Sequence, residues 1–566
     1  MKSVSGKDWE EISINDRIID KIKANHNLST IQAKIIYSRY FSEIEIHSIN
    51  NNINFTNPFF NNKDYLKACK ILKYELEKKS NVLVIGDYDV DGCVSTSLMV
   101  NFLRGLNVKT NFYIPDRVKD GYGASKELII KLISEIKPQL IIFLDCGSNS
   151  HEAIKYLNIN KIKSIIIDHH NIEKPYPLSD VLINPKKNIS INEYQYLCTA
   201  FLAYLFIDLY INLNNLKFSF KKNLIYVLIA TVCDVMPLRG INRLMAINVL
   251  KNFDLNKNLI LDNLLKLSKI KKKVEIDDLG YIIGPVLNSA GRIDNANQIV
   301  ELLTTSSKDL ASKIIDKIYK LNFKRKTIES RCMDNFDFKD LENQKGVLFI
   351  YENDIHEGII GIIASKIKEY FGKPCIVFTN SGHLIKGSAR STSEFNIGEY
   401  INKAFKTNIL INGGGHNLAA GVTLKKSNLI LFQNFINNYY NKKNSNLSNK
   451  FINKISLNSI SKNFLLEINK LSPWGHKNEN PIFLIQNVKI VKQSLLKDKF
   501  ISCYIKSDNK MLKAVSFNHI NSKINYQIIN SKRYLDLLIK VKENKWNNKS
   551  SIQLEIIDII NDTINT

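Results

Sequence analysis

Clusters of carboxylate and imidazole side chains follow three short apolar segments of this chain. Asp87, Asp89 and Asp91 follow the segment 81–86, Asp145 follows 139–144, and Asp168, His169 and His170 follow 163–167. Each segment has the length and composition of a buried parallel strand. Because the carboxyl ends of parallel strands lie at one edge of an open α/β sheet, we expect these side chains to share one crevice. Asp234, after the apolar run 224–230, completes the expected set.

So many carboxylates in one crevice require a counter-charge, because like charges raise each other's pKa. A divalent cation supplies that charge, and oxygen ligands with one or two imidazoles suit Mg²⁺ or Mn²⁺ better than a thiolate-preferring ion. The set is large enough for two ions about 4 Å apart, the spacing of two-metal phosphoesterases. The sequence therefore predicts two-metal hydrolysis of a phosphodiester.

Each acidic residue taken alone has a simpler interpretation. An aspartate at a strand end is more often a helix N-cap or a turn residue. The segment 87–91 also fits a calcium-type turn or a plain loop. An Asp-His-His run directly after a buried strand is harder to explain in this way, so the conjunction of the three segments favours a metal centre.

The alternation of apolar and helical segments predicts the α/β fold class. We expect a doubly wound parallel-sheet domain, a long helical connector, a smaller α/β domain and a C-terminal β-barrel of OB type. The predicted boundaries are 1–60 for an N-terminal helical segment, 61–245 for the catalytic domain, 246–340 for the connector, 341–436 for the second α/β domain, 437–460 for a polar linker and 461–566 for the barrel.

The composition of the 566 residues, with 44% hydrophobic and 10% aromatic residues, excludes a wholly disordered protein. The mean hydropathy of −0.15 argues against a multi-span membrane protein. The longest apolar stretch, 197–213, is interrupted by Asp208 and predicts a buried helix. The first residues contain no apolar signal segment, and the eight cysteines form no CxxC pair. We therefore expect a cytoplasmic protein without a membrane partner.

The formal net charge of +25 points to a polyanionic partner. The chain is also rich in Ile, Asn and Lys, a bias that drift toward AT-rich codons can produce without selection for binding. Arginine is therefore the more informative cation. Four of the eleven arginines, Arg117, Arg239, Arg292 and Arg390, lie beside motifs.

Nine sequence motifs together resemble a known family. The segments GDYDVDG, LDCGSNSH, DHH and VCDVMPL are similar to the four motifs of the DHH phosphoesterase superfamily. The segments DRVKDGYG, GPVLNSAGRIDNA, HEGIIGIIASKI, KGSARS and NGGGHNLAAGVTL resemble those of its RecJ family, which carries a DHH domain and a DHH-associated domain. The resemblance covers about 80–560, and the whole set in this order is specific for that family.

The resemblance implies roles for individual residues. The implied metal ligands are Asp87, Asp89, Asp91, Asp145, His169 and Asp234, with Asp168 and His170 beside them as catalytic residues. Ile85 stands where many superfamily members have a histidine, which predicts a weaker or differently built second metal site.

The resemblance also implies a substrate site. Gly413, Gly414 and Gly415 would form an anion nest through their backbone N–H groups, with His416 over the scissile phosphate. Arg292, Ser388 and Arg390 match positions associated with the 5′-phosphate of the nucleic acid. Tyr88, Tyr122 and Trp474 are candidate platforms for stacked bases, and His356 is a further candidate in the same domain.

The implied activity is 5′→3′ degradation of single-stranded DNA to 5′-mononucleotides, in recombination and repair, by a monomer that uses Mg²⁺ or Mn²⁺. Single-strand-binding protein and a RecQ-type helicase are the implied protein partners. Two alternatives stay open. One is a nanoRNase or cyclic-dinucleotide phosphodiesterase of the same superfamily, which has no need of an OB module. The other is a catalytically degenerate replication scaffold, which has no reason to keep a repulsive acid cluster.

Overall fold

The computed structural model describes residues 1–117, 119–120, 123–187, 193–268, 273–440, 448–496, 499–507, 509–519, 522–546 and 549–561. The chain forms two compact units. One contains residues 1–54, 237–248 and 445–566, and the other contains 55–236 and 249–444. Every acid–histidine motif lies in the second of these units.

The N-terminal part of the first unit is mainly helical. Its elements are β1 (Trp9–Glu11), α1 (Asp16–His26), α2 (Thr30–Ser38) and α3 (Glu43–Asn50). Asn15 and Ser29 cap the starts of α1 and α2 by accepting backbone N–H groups, and the Gln32 side-chain oxygen accepts the Ser29 N–H. The short helices are stabilised by such caps, since each is too short to be stable from intrinsic propensity.

The second unit begins with a parallel α/β domain. Its elements are α4 (Lys63–Glu77), β2 (Val82–Ile85), α5 (Val90–Gly105), β3 (Thr110–Tyr113), α6 (Lys126–Ile136), β4 (Leu140–Leu144), α7 (His151–Ile159), β5 (Lys163–Ile167), β6 (Val181–Ile183), α8 (Thr199–Leu213) and α9 (Leu224–Cys233). All five strands are parallel, in the order β3-β2-β4-β5-β6. This order places β2, β4 and β5, the strands that precede the acid–histidine motifs, side by side.

Apolar runs explain the buried sheet. Every residue of β2, β4 and β6 is buried, as a parallel sheet covered on both faces requires. Helices α6 and α7 pack on one face against side chains such as Leu83 and Phe143, while α4, α5 and α8 contact the sheet from other positions. The predicted doubly wound parallel-sheet domain is confirmed.

Helices connect this domain to a second sheet. The connecting helices are α10 (Gly240–Asn252), α11 (Leu259–Leu267), α12 (Ile276–Asp278), α13 (Gly284–Ile293), α14 (Asn297–Thr304), α15 (Lys308–Asn335) and α16 (Phe338–Asn343). The smaller α/β domain contains β7 (Leu348–Tyr351), α17 (Glu357–Phe371), β8 (Cys375–Ser381), β9 (Leu384–Arg390), α18 (Ile397–Lys406), β10 (Asn412–His416), β11 (Ala419–Leu424) and α19 (Leu429–Tyr440). Its strand order is β10-β11-β9-β8-β7, which leaves β10 at an edge.

Apart from residues 237–248, which include the start of α10, the rest of the first unit is a β-barrel with two helices. Its elements are β12 (Asn449–Phe451), β13 (Asn453–Lys454), α20 (Lys462–Asn469), β14 (Ile482–Leu496), β15 (Phe500–Lys506), β16 (Met511–Ser516), α21 (Lys523–Asn530), β17 (Leu535–Trp546) and β18 (Lys549–Ile560). The order β14-β15-β16-β18-β17 closes through pairing of β17 with β14. Closure removes the free edges, and the predicted OB-type barrel is confirmed.

The predicted linker 437–460 contains regular structure where the structure describes it. Residues 437–440 continue α19, and 449–454 form β12 and β13. Residues 441–447 lie outside the described residues. The predicted N-terminal segment 1–60 falls largely within the barrel's unit, which includes 1–54. Within the described ranges, no helix has the length and hydrophobicity to cross a membrane.

Candidate active site

The loop after β2 turns directly into α5 and fixes three carboxylates. Asp89 is the N-cap of α5 and accepts a hydrogen bond from the Gly92 N–H at 3.0 Å. Asp91 is buried and accepts the N–H groups of Thr199 and Ala200, each at 2.8 Å, at the start of α8. Asp87 is also buried, and its Oδ1 has no hydrogen-bond partner among the described atoms. A buried carboxylate oxygen in this state is available to a cation.

Asp145 lies at the carboxyl end of β4 in a left-handed backbone conformation, with φ of 61°. This conformation is uncommon for residues other than glycine. The Asp145 side chain is buried and accepts a hydrogen bond from the Thr199 hydroxyl at 2.9 Å. The turn continues through Gly147, with φ of 101°. An unusual backbone at this position holds the carboxylate over the end of the sheet.

In the Asp-His-His run after β5, the aspartate positions the two histidines. Asp168 uses Oδ1 to accept the backbone N–H groups of His169 and His170, at 2.7 and 3.1 Å, and His170 Nδ1 lies 2.8 Å from the same oxygen. Its Oδ2 accepts the Ser148 N–H at 3.2 Å. Asp168 orients the two histidines, because its Oδ1 is hydrogen-bonded to groups of both.

His169 joins the acidic residues from different elements. Its Nε2 lies 3.4 Å from Asp145 Oδ1, 3.4 Å from Asp234 Oδ2 and 3.8 Å from Asp91 Oδ2. Asp234 follows α9 and precedes Val235, whose φ of 54° is a rare conformation for a β-branched residue. The Asp234 Oδ2 atom has no hydrogen-bond partner among the described groups.

Three overlapping sets of donor atoms have the spacing of a metal site, with all atoms of a set within 4.8 Å of one another. They are Asp87, Asp89 and Asp145; Asp91, His169 and Asp234; and Asp145, His169 and His170. The sequence-predicted ligands are therefore all brought together, and His170 lies beside them. This donor chemistry, with the unpartnered oxygens of Asp87 and Asp234, fits divalent oxygen-preferring cations.

The pKa values of the carboxyl groups in the crevice indicate a site that binds a cation. Burial, followed by repulsion from Asp89, raises the pKa of Asp87 to about 7 and that of Asp91 to about 6. Burial and the neighbouring carboxylates raise the pKa values of Asp145 and Asp234 well above the ordinary range. The raised pKa values show that these four carboxyl groups lose their protons less readily than usual. A cation bound among them would favour the negatively charged carboxylate form.

The two histidines differ in charge. Burial and the proximity of His170 lower the pKa of His169 to about 3, so its imidazole is neutral at pH 7 and can act as a ligand. Burial alone would lower the pKa of His170, but the Asp168 carboxylate outweighs it and raises that pKa to about 9. The same pairing with His170 lowers the pKa of Asp168 despite its burial.

His416 faces this crevice from the smaller α/β domain. Its Nδ1 lies 2.9 Å from the Asn171 side-chain amide, and its ring is stacked at 6.5 Å from that of His170. Gly413, Gly414 and Gly415 do not form the expected nest. They lie in the edge strand β10 and pair with β11, so part of their backbone hydrogen bonding is used by the sheet.

The need for glycine in this strand is steric. A Cβ atom at Gly415 would overlap the backbone and side chain of Ala420. On the neighbouring helix, a Cβ at Gly398 would lie 2.6 Å from the His416 carbonyl oxygen. The close approach of α18 to β10 therefore depends on small residues, and it positions His416.

Three arginines form a second, positive part of the site. Burial, with repulsion from Arg117 and Arg390, lowers the pKa of Arg292 to about 10, and burial and Arg117 lower that of Arg390. Arg390 Nη1 donates to the Ser388 hydroxyl at 3.1 Å, and Arg292 Nη1 donates to the Gly358 carbonyl at 3.2 Å. Converging guanidinium groups of this kind suit a phosphate.

Close packing connects the arginines to the acidic loop. A Cβ at Gly291 would overlap the Tyr88 carbonyl, and the Asn288 side chain accepts the Val90 N–H at 3.2 Å. Helix α13, which carries Arg292, thus lies directly against the loop of Asp87, Asp89 and Asp91. His356 is the N-cap of α17, where its Nδ1 accepts the Gly358 N–H at 3.1 Å.

Sequence reasoning missed several residues of the site. Thr199 binds Asp145 and Asp91, Asn171 contacts His416, and Lys186 is close enough to Asp168 and Asp234 to interact with them electrostatically. The rule that ligands gather at strand ends would have found Lys186, because it follows β6 by three residues. Asn171 directly follows the Asp-His-His run.

The candidate stacking residues have different surroundings. Arg117 lies over the Tyr88 ring at 5.2 Å. Trp474 belongs to the other compact unit, where it packs against the core and Arg39 lies 5.3 Å from its ring. Tyr122 lies outside the described residues. Ile85, at the position of the superfamily histidine, is fully buried in β2.

Comparisons with known proteins agree with this architecture. Family models match at three places, the DHH family N-terminal domain at residues 81–231, the DHHA1 domain at 344–442 and the RecJ OB domain at 453–558. The Bacillus subtilis (strain 168) single-stranded-DNA-specific exonuclease RecJ is 28% identical over 563 residues, 95% of this chain and 69% of that protein. The Escherichia coli (strain K12) protein of the same name is 26% identical over 525 residues, 87% of this chain and 89% of that protein.

Solved structures share the fold. Thermus thermophilus RecJ in complex with Mn²⁺ superposes with a TM-score of 0.82 at 20% identity, covering 98% of this chain and 79% of that chain. A structure of exonuclease RecJ bound to manganese gives a TM-score of 0.57 at 25% identity, covering 68% of this chain and 95% of that chain.

The parallel sheet with its acid–histidine crevice and the matching family model show that residues 81–231 form a DHH-family domain. With the DHHA1 domain at 344–442 and the RecJ OB domain at 453–558, the chain has the domain set of a RecJ-type protein and is similar over most of its length to the RecJ proteins named above.

Proposed function

We propose that this protein is a metal-dependent exonuclease that degrades single-stranded DNA from the 5′ end to 5′-mononucleotides. The observation that carries the proposal is the crevice in which Asp145 and His169 are each shared between two donor sets. Asp145 belongs to one outer set and His169 to the other, and the two side chains meet in the third set, so two cations could be held close together, as phosphodiester hydrolysis by two metal ions requires. The choice of single-stranded DNA rests on the relatives, which are named for that substrate.

Mg²⁺ or Mn²⁺ is the cofactor that we propose, since the donor set fits both. Of two crystal structures of Thermus thermophilus RecJ, one contains Mn²⁺ and the other contains Mg²⁺. Asp87, Asp89 and Asp145 would hold one ion, and Asp91, His169 and Asp234 the other, with His170 close to Asp145. When bound, such ions activate water as a nucleophile and stabilise the charge that develops on the phosphate oxygens.

The chain's own residues then orient the substrate and handle protons. With the Asn171 amide as donor, Nδ1 of His416 is the acceptor, so the neutral imidazole carries its proton on Nε2. That N–H can donate to a phosphate oxygen near the crevice. His170, held as a cation by Asp168, adds a positive charge beside the carboxylates.

We infer that the arginine cluster of Arg117, Arg292 and Arg390 makes digestion start at the 5′ end. Arg292 and Arg390 are held against α17, and with Arg117 they concentrate positive charge beside the acidic loop. A terminal 5′-phosphate carries more negative charge than an internal phosphodiester and presents more oxygens to guanidinium groups. Its binding there would place the first phosphodiester bond of the strand at the metal crevice.

A direct test uses single-stranded DNA labelled at either end, incubated with the protein and Mn²⁺ or Mg²⁺, beside duplex DNA and a dinucleotide. Release of mononucleotides from the 5′ end, lost in Asp145→Ala, is the expected result. Activity confined to the dinucleotide would favour the small-nucleotide alternative, and no turnover with either ion would favour the scaffold. The cytoplasmic location, the monomeric state and the partnership with single-strand-binding protein and a RecQ-type helicase stay predictions, as do the domain boundaries.

A further inference from the structure

We propose that His26, Glu43 and His47 form a second metal site that takes a borderline divalent ion such as Zn²⁺. The three side chains offer one ligand atom each within 4.8 Å of the others. His26 Nε2 lies 3.9 Å from Glu43 Oε2, and the two imidazole rings meet edge to face with centroids 5.9 Å apart. Two imidazoles and a carboxylate are a ligand set used by zinc proteins.

The backbone already places these ligands. Glu43 and His47 are four residues apart in α3, so they lie on one face of that helix. His26 is the last residue of α1, and Asn27 ends the helix in a left-handed conformation with φ of 51°. The backbone N–H of Ser42, just before α3, is held by the Glu45 carboxylate at 2.8 Å. Both helix ends that carry ligands are therefore capped.

Apolar packing supports the same arrangement. Leu28, just after α1, and Ile46, in α3, belong to one core cluster, and Ile22 and Ile49 pack against it. The two helices therefore share one apolar core, while the three polar side chains are partly buried or exposed. A metal ion would need only small side-chain rotations, because tetrahedral ligands about 2.1 Å from zinc are about 3.4 Å apart.

The cluster has few competing partners. In the part of the chain that the structure describes, the ion-pair partner of Glu43 is His26, and neither imidazole shares a side-chain hydrogen bond. The partly buried His26 and exposed Glu43 and His47 leave an open face to solvent. One position of a four-coordinate ion would then be filled by water. Such a site would differ from the catalytic crevice, which is dominated by carboxylates and suits Mg²⁺ or Mn²⁺.

This site is independent of the proposed nuclease activity. His26, Glu43 and His47 lie in the compact unit that contains the barrel, whereas the acid–histidine crevice lies in the other. An ion bound by both α1 and α3 would cross-link the two helices and stabilise their unit, since binding to the folded state alone raises stability.

Equilibrium dialysis of the full-length protein against Zn²⁺ tests the proposal. We expect the wild type to bind one more tight Zn²⁺ per chain than His26→Gln or His47→Gln, and Glu43→Gln to weaken that site at least tenfold. His383→Gln, which removes an exposed imidazole from the turn between β8 and β9, is the matched control and should bind as the wild type does. Melting temperatures in EDTA verify that the variants are folded.

Equal zinc stoichiometry in the wild type and all three variants would overturn the proposal. Glu43→Gln keeps the test decisive if the histidine variants misfold, because it changes an exposed side chain in the first turn of α3. The Mn²⁺-dependent digestion of single-stranded DNA should be unchanged in the variants. Failure of the zinc site is therefore distinguishable from failure of the proposed nuclease function.

Discussion

The side-chain amide of Asn171 donates a hydrogen bond to Nδ1 of His416 across 2.9 Å, although the two residues are 245 positions apart. The contact joins the loop after the Asp-His-His run to the end of β10. It fixes the ring orientation of His416 and leaves Nε2 as the protonated nitrogen of the neutral imidazole. Burial, Lys186 and His170 lower the pKa of His416, which keeps the ring neutral at pH 7.

Asn171→Ala should reduce kcat about tenfold or more with little change in KM, because His416 loses its orientation while the arginines proposed to bind the 5′-phosphate stay in place. Steady-state release of mononucleotides from 5′-phosphorylated single-stranded DNA measures both constants. Asn158→Ala removes another surface amide, which donates to the Leu178 carbonyl, and should have no effect on kcat. In a His416→Ala background, Asn171→Ala should add almost nothing, since the two residues act as one unit. Additive losses would contradict the proposed role of Asn171.

The strands of the parallel sheet are predictable from the sequence because short apolar runs alternate regularly with helical segments and each run ends at polar residues. Strand β5 has the predicted bounds, β4 begins one residue later than predicted, and β2 is one residue shorter than predicted at each end. The bounds were recoverable because the polar residues that end each strand are also the residues of the site.

The remaining features depend on contacts between distant segments. Asp234 follows helix α9, and the apolar sequence of α9 has no feature that distinguishes a buried helix from a buried strand. The run Gly413–Gly415 predicts a turn from local preference, yet pairing with β11 makes it a strand. The zinc-type cluster of His26, Glu43 and His47 arises from helix packing and has no linear motif.

The stability of the metal-free protein should fall as pH rises from about 4 to about 7. The pKa values of Asp87 and Asp91 are raised in the folded state to about 7 and about 6, so the folded state binds more protons than the unfolded state over this range. Asp145 and Asp234 act in the same direction, and the lowered pKa of His169 opposes them with a single proton.

Thermal unfolding in EDTA at several pH values measures this dependence. We expect a loss on the order of 2 kcal/mol across the range. Saturating Mn²⁺ should reduce or reverse the slope, since the ion competes with protons for the same oxygens. A metal-free stability that increases steadily from pH 4 to pH 7 would contradict the predicted proton uptake.

Asp145→Asn should abolish nuclease activity and raise the melting temperature of the metal-free protein at pH 8. The substitution removes one buried negative charge from a crowded crevice while keeping the side-chain shape and the acceptor for the Thr199 hydroxyl. Calorimetry should also show the loss of at least one tight Mn²⁺. Asp309→Asn, on an exposed helix start, is the control for a general charge effect. A lower melting temperature in EDTA for Asp145→Asn would show that the repulsion is not the dominant effect.

Arg390→Lys should reduce the preference for a 5′-phosphorylated end about tenfold while leaving digestion of 5′-hydroxyl DNA nearly unchanged. Lysine keeps the charge but lacks the planar pair of donors that a terminal phosphate can accept. Competition between the two substrates in one reaction measures the preference directly. Arg533→Lys, in the barrel, is the matched control. Equal losses on both substrates would assign Arg390 to general electrostatic attraction.

Gly358→Ala should destabilise the protein and weaken the same end preference. The added Cβ would overlap the backbone carbonyl of Arg292, and the nearby Gly361 already faces the Arg390 guanidinium, with a Cβ there only 2.8 Å from Nη2. Helix α17 must therefore move away from α13, at a cost of about 1–3 kcal/mol. Chemical denaturation measures the loss, and substrate competition measures the end preference. Gly105→Ala, at an open position at the end of α5, should be neutral or stabilising. If Gly358→Ala lost stability but kept the full preference for a 5′-phosphate, the packing of α17 on α13 would not be what positions the arginines.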